Sequence, residues 1–164
     1  MVVDSYRFLP RSFRPYYEGR GAFPGEEGPV WAPFPKRLAE SKIALLSSAG
    51  FYLEDEQPAF DLDRERSEPD WGDPSWRAIG KGSLAVAHLH INDADLLADP
   101  EIALPVRLLG QLVAEGIVGS AAGRNVAVMG YQERQLAGWR QTTAPAIVEF
   151  LRDQQVDGLV LAPA

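Results

Sequence analysis

His88 and His90 are the two histidines of this chain, and Asn92, Asp93, Asp95 and Asp99 follow them closely. At the end of a β-strand, alternation puts residues i and i+2 on one face, so the two imidazoles are expected to project together. Such a pair could contact a substrate or transfer protons near neutral pH. With a carboxylate from the next turn, Asp93 being the nearest, it also fits the set of two histidines and one carboxylate that binds a divalent metal. No third nitrogen ligand is available, and strand-end histidines also serve simply by bonding nearby backbone. On residue types alone the metal, proton-transfer and structural readings all stay open.

Two further segments belong with the histidines. Ser47-Ser48-Ala49-Gly50 is a turn of small residues after an apolar run, of the kind whose backbone N–H groups approach an anion in nucleotide-binding folds. Met129-Gly130 closes another apolar run in the same manner. A dinucleotide fingerprint is missing: the nearest glycine pair, Gly116-Ile117-Val118-Gly119, follows a helix instead of opening one. No G-x-S-x-G elbow accompanies the serines, and the chain has no cysteine, hence no thiol nucleophile or thiolate metal site. The carboxylates of residues 54–70 read as a solvated acidic surface with no catalytic role.

The elements that must position these groups follow from apolar periodicity. Ile43-Ala44-Leu45-Leu46 is a short continuous apolar run, as in a strand buried on both faces. Ser83–His88, Asn125–Met129 and Leu159–Ala162 are expected to be further strands. Leu104, Leu108, Leu109, Leu112 and Val113 share the face of a helix with Pro105 in its first turn and Gly116 at its end. Thr142 or Thr143 is expected to cap a second helix carrying Ile147, Val148, Phe150 and Leu151. Between Glu54 and Gly82 lies an acidic, proline-containing excursion that holds Trp71 and Trp76 and is therefore expected to be ordered. Strands alternating with helices predict an α/β domain over residues 39–164, with a mostly parallel Rossmann-like or flavodoxin-like sheet. Residues 1–38, rich in proline and aromatics, read as an extended arm packed on its own domain or on another subunit.

Composition narrows the partners. A net charge of -7 offers no basic field to displace counterions from phosphates, so nucleic acid is not expected. No apolar stretch approaches the roughly 20 residues that cross a bilayer, and Met1-Val2-Val3-Asp4-Ser5 does not open like a signal peptide. A cytoplasmic location without membrane contact is the expectation.

Several segments, in order, resemble one family. They are Pro29-Val30-Trp31-Ala32-Pro33, Lys42-Ile43-Ala44-Leu45-Leu46-Ser47-Ser48-Ala49-Gly50, Gly72-Asp73-Pro74-Ser75-Trp76-Arg77-Ala78-Ile79 and Ala87-His88-Leu89-His90-Ile91-Asn92-Asp93. Leu112–Gly119, Ala144–Ile147 and Val156–Ala164 complete the series. The set is similar to the selenoprotein B subunits of the glycine, sarcosine and betaine reductases and of D-proline reductase, over about Pro29 to Ala164. No one segment is diagnostic; the ordered series carries the resemblance.

The resemblance implies that the strand ending near Ala162 leads into a selenocysteine, or a cysteine in variant members, that takes part in reductive C–N cleavage of an amine. A partner subunit bearing a pyruvoyl group activates that amine. This chain ends at Ala164, and the expectation is a product cut at a selenocysteine codon, without its redox centre, inactive alone and self-associating. The resemblance does not assign the catalytic residues; by their expected place at the carboxyl edge of the sheet, beside that redox centre, His88 and His90 are the candidates. Ser47, Ser48, Asn92, Asp93, Met129 and Gly130 would then line the substrate pocket. The rival expectations are a non-enzymatic α/β domain that binds a small molecule or partner, and a metal-dependent enzyme using His88 and His90.

Overall fold

Ile43, Ala44, Leu45 and Leu46 are apolar in succession, so the strand that contains them must be covered on both faces. In the computed structural model, which describes Pro15 and residues 32–68, 70–132 and 136–164, it lies at the centre of the main sheet. The expected arm of residues 1–38 falls outside the described residues as far as Trp31. The body from Ala32 to Ala164 is one compact unit.

Among the described residues seven strands follow in order: β1 (Lys42–Ser47), β2 (Phe51–Leu53), β3 (Trp76–Ile79), β4 (Leu84–Val86), β5 (Ser120–Ala121), β6 (Asn125–Val128) and β7 (Gly158–Ala162). The α-helices interspersed with them are α1 (Leu62–Ser67), α2 (Asp93–Ala98), α3 (Val106–Ala114) and α4 (Ala144–Asp153). Strand β1 pairs in parallel with β7 along one side. On its other side it pairs with β5 at Lys42 and Ile43 and with β6 at Leu46 and Ser47. Strands β5 and β6 are therefore two pieces of one interrupted lane. At the interruption the buried Asn125 side chain supplies the missing acceptor, its Oδ1 taking the Leu45 N–H at 2.9 Å. Strand β3 adds to β6 antiparallel.

Alternation along β1 sends its side chains to two cores. Ile43 and Leu45 pack with Leu96, Leu104 and Leu109 from the α2–α3 side. Ala44 packs with Val126, Ile147 and Leu151 on the α4 side. The mixed α/β architecture with a mostly parallel sheet and flanking helices is the one the periodicity predicts.

Four details correct the sequence reading. The strand expected over Ser83–His88 ends at Val86 and pairs antiparallel with β2 in a separate two-stranded sheet. Within the acidic excursion, Trp76–Ile79 forms a strand that the charge and proline content hid. Neither Thr142 nor Thr143 caps α4; residues Trp139–Thr143 form a π-helical turn, and Thr143 Oγ1 donates to the Pro74 carbonyl. Pro105 precedes α3 and cannot cap it, so the Glu101 carboxylate accepts the Arg107 and Leu108 N–H groups at 2.7 and 3.1 Å.

Candidate functional site

The lane order β6–β1–β7 determines where a ligand would sit. The chain runs from β1 to β6 through α2 and α3 over one face, and from β6 to β7 through α4 over the other. Connections that leave on opposite faces open a crevice outside the carboxyl ends of the central strands, and in the flavodoxin-like order it lies between the first and third parallel strands. Here those are β1 and β7.

Ser48 sits at this crevice. Its N–H donates to the Ala162 carbonyl at 3.3 Å, and its Oγ accepts from the Ala164 N–H at 2.9 Å. Ser47 is fully buried, and its Oγ takes the Ala49 N–H at 3.2 Å, so it closes the turn and does not line the crevice. Gly50, with φ +71°, then ties three segments together: its N–H donates to Val128 O at 3.1 Å, and its carbonyl accepts the Ala87 N–H at 3.0 Å. A Cβ there would fall 2.2 Å from the Ala87 carbonyl oxygen, so only glycine permits this approach. The approach delivers His88 to the strand ends.

Gly130 marks the meeting point. A Cβ on it would lie 3.2 Å from Ser48 O, 3.3 Å from Ala164 O and 3.4 Å from His88 Nε2. Ser48, His88, Gly130 and the chain at Ala164 thus converge on one spot. Met129 is buried beneath it with Phe60 and Ala87.

The histidines are not a strand-face pair, because β4 has already ended at Val86. Their rings stand edge to face, 5.9 Å apart. His88 Nδ1 accepts the His90 backbone N–H at 3.0 Å, which assigns the proton of the neutral ring to Nε2. That Nε2–H is buried and has no partner among the described residues. Burial, and then the neighbouring His90, push the His88 imidazole below its ordinary range, so it is neutral at pH 7.

His90 Nε2 lies 3.0 Å from Glu65 Oε1, and its ring packs 5.2 Å from that of Tyr131. The Glu65 side chain is 2% exposed although it comes from the acidic excursion, and its Oε2 has no partner among the described residues. Burial pushes its carboxyl above the usual range despite the pull of His90. The expectation that no carboxylate of residues 54–70 joins the site is thus corrected at Glu65. Leu62 and Glu65, three residues apart on a short helix capped by Asp61, share the inward face, and that spacing is the signal that could have singled Glu65 out.

Asn92 and Asp93 do not join the cluster. Asn92 Oδ1 caps α2 by accepting the Ala94 N–H at 3.2 Å, and both residues are exposed. The metal arrangement of His88, His90 and Asp93 is therefore not formed. Among the described residues no three histidine, aspartate or glutamate side chains gather as a metal site; His88 Nδ1 accepts the His90 N–H and His90 Nε2 meets Glu65.

Fold and site together define an α/β domain of mostly parallel type with Ser48, His88, Gly130 and Ala164 gathered at the carboxyl edge of its central strands. The chain is similar to D-proline reductase subunit gamma of Acetoanaerobium sticklandii, with 28% identity over 137 residues, which are 81% of this chain and 52% of that protein. It is a distant relative of an amino-acid reductase subunit, and it spans about half the length of the curated relative it matches. No family model and no solved structure matches it. Among the described residues no helix is long and apolar enough to cross a membrane.

Proposed function

We propose that this chain is the scaffold of an amino-acid reductase subunit whose β1–β7 crevice frames a selenol or thiol nucleophile supplied just after Ala164. The observation that carries the reading is the buried Nε2–H of His88, without a partner among the described residues and beside the spot where Ala164 meets Ser48 and Gly130. A buried donor with no acceptor is costly, by about 1–3 kcal/mol, and such an atom invites a functional explanation. An anionic chalcogen is an acceptor of the right charge, and a hydrogen bond to it lowers its pKa and favours the reactive form.

Such a group supplies the nucleophile of reductive C–N cleavage. The chain's own residues do the rest: Ser48 holds the strand end in place, Gly130 leaves room beside it, and neutral His88 offers a hydrogen bond without adding charge. The substrate class is a small amino acid with an amine to be cleaved, as in glycine, betaine, sarcosine or proline, and the relative's name favours a proline-type amine. A pyruvoyl-bearing subunit is the partner that activates this amine. The 164 residues contain no cysteine, so in this reading the nucleophile comes from outside them.

The test is to read the gene past the codon for Ala164, purify the product of the whole frame and assay amine-dependent reductant consumption with its partner subunits. An in-frame cysteine or selenocysteine codon within the next few positions, together with turnover, is the expected result. A gene with neither codon there would refute the reading.

A further inference from the structure

We propose that Glu65 is the positioning residue of the strand-end site: through His90 it holds His88 in the one orientation and tautomer that presents Nε2–H to the crevice. The assignment rests on the functional reading above and extends it to a residue from a different part of the chain.

Three observations support it. The segment from Ala87 to Ile91 contains no helix or strand, so its side-chain anchors set its shape. The His90 ring is held between the Glu65 carboxylate at 3.0 Å and the Tyr131 ring at 5.2 Å. The backbone N–H of that same His90 is the group that occupies His88 Nδ1, at 3.0 Å. Loosening the His90 ring frees this N–H, and a neutral imidazole whose Nδ1 is no longer occupied exchanges its proton between the two nitrogens.

Glu65 is an unusual choice for a merely structural anchor. Its carboxylate is almost wholly buried, yet Oε2 is left without a partner, and burying a charged oxygen unpaired costs more than an apolar side chain of similar size. The charged groups that act on it are His90 from the loop, Asp73 and Arg66. Burial raises its ionisation above that of an exposed glutamate, so the hold on His90 changes at a higher pH than an exposed carboxylate would give.

The experiment is imidazole nitrogen NMR on the whole chain, with Glu65→Gln and Glu65→Ala, over pH 4 to 8. With both rings assigned, the native chain is expected to show neutral His88 as one tautomer, protonated on Nε2. It should also show a step in the His90 ring shifts from Glu65 ionisation, at a pH above the ordinary value near 4.3. Glu65→Gln keeps an acceptor, so it should retain the tautomer and lose the step. Glu65→Ala should give an average of the two tautomers. A single unchanged His88 tautomer in folded Glu65→Ala would overturn the proposal. So would a pH profile of the His90 ring shifts in Glu65→Gln identical to that of the native chain, which keeps the test decisive if the alanine variant does not fold. These readouts need no turnover. A gene without a downstream nucleophile would remove the functional reading while leaving the hold of Glu65 on His88 measurable in its own right.

Discussion

Ser48 and Ala164, 116 residues apart in the chain, hold one another by two hydrogen bonds, Ala164 N–H to Ser48 Oγ at 2.9 Å and Ser48 O–H to Ala164 O at 3.3 Å. This pairing joins the turn after β1 to the residues after β7, across the switch point of the sheet. Every element of the site is placed with respect to it. Gly130 lies against both residues, and His88 reaches the same spot from the two-stranded sheet.

Asn125 completes the β1 lane with its side chain, so Asn125→Ala should leave the buried Leu45 N–H without an acceptor. A loss of about 1–3 kcal/mol is expected, read from the midpoint of urea unfolding. A midpoint equal to that of the native chain would contradict the role given to Asn125.

Gly50 and Gly116 share φ +71°, but a Cβ at Gly50 would fall 2.2 Å from Ala87 O, while one at Gly116 meets nothing within 4 Å. Gly116→Ala should therefore cost only left-handed backbone strain, about 1 kcal/mol. Gly50→Ala adds a backbone clash and should cost about 2 kcal/mol or more beyond that. Equal losses for the two would show that Ala87 does not approach the turn as described.

Asp73 and Glu65 should give opposite pH slopes. Burial raises the Asp73 carboxyl, but hydrogen bonds from Ser75 and the Asp61 N–H, with Arg77 nearby, outweigh it and hold the value below the usual range. Its stabilisation is present above the unfolded value and lost as pH falls through the folded one. Glu65 is raised, so the folded state is favoured at low pH and that advantage is lost as pH rises through its folded value. Relative to the native chain, Asp73→Asn should be most destabilised at pH 7 and recover towards pH 3, whereas Glu65→Gln should gain as pH rises from 4 to 7. Unfolding midpoints over that range check both signs, and parallel curves would refute them.

Gly130→Ala places a methyl 3.2–3.4 Å from Ser48 O, Ala164 O and His88 Nε2, tight contacts that a small shift could relieve. The fold should lose about 1 kcal/mol or less, while the His88 ring resonances move because its Nε2 faces the new group. Unmoved His88 resonances in a folded variant would separate His88 from Gly130 and dissolve the site.

The fold was legible where burial is continuous or strictly periodic. The apolar run of β1, the face of α3 and the final strand β7 could be read directly, because each contributes a whole side to a core. Strands β2 and β3 were hidden, being three and four residues long and stabilised by distant partners that leave no local pattern. Pairing Phe51–Leu53 with Leu84–Val86 took the second expected strand out of the parallel sheet. For the site, Ser48, His88 and Gly130 could be placed because small turns and strand ends gather at one edge of such a sheet. Asn92 was misplaced because an N-cap and a pocket residue draw on the same residue type. Glu65 was missed because Asp61, Asp63 and Glu68 around it are exposed, and a run of carboxylates does not reveal which one turns inward.

The most direct measurement uses the absence of cysteine from the native sequence. A chain extended by one cysteine after Ala164 carries one thiol, and its alkylation rate against pH reports the ionisation of that thiol alone. The account predicts a midpoint below the ordinary thiol value near 8.5, moving back towards it in the His88→Phe variant. A midpoint at or above 8.5 that ignores the His88 substitution would contradict it.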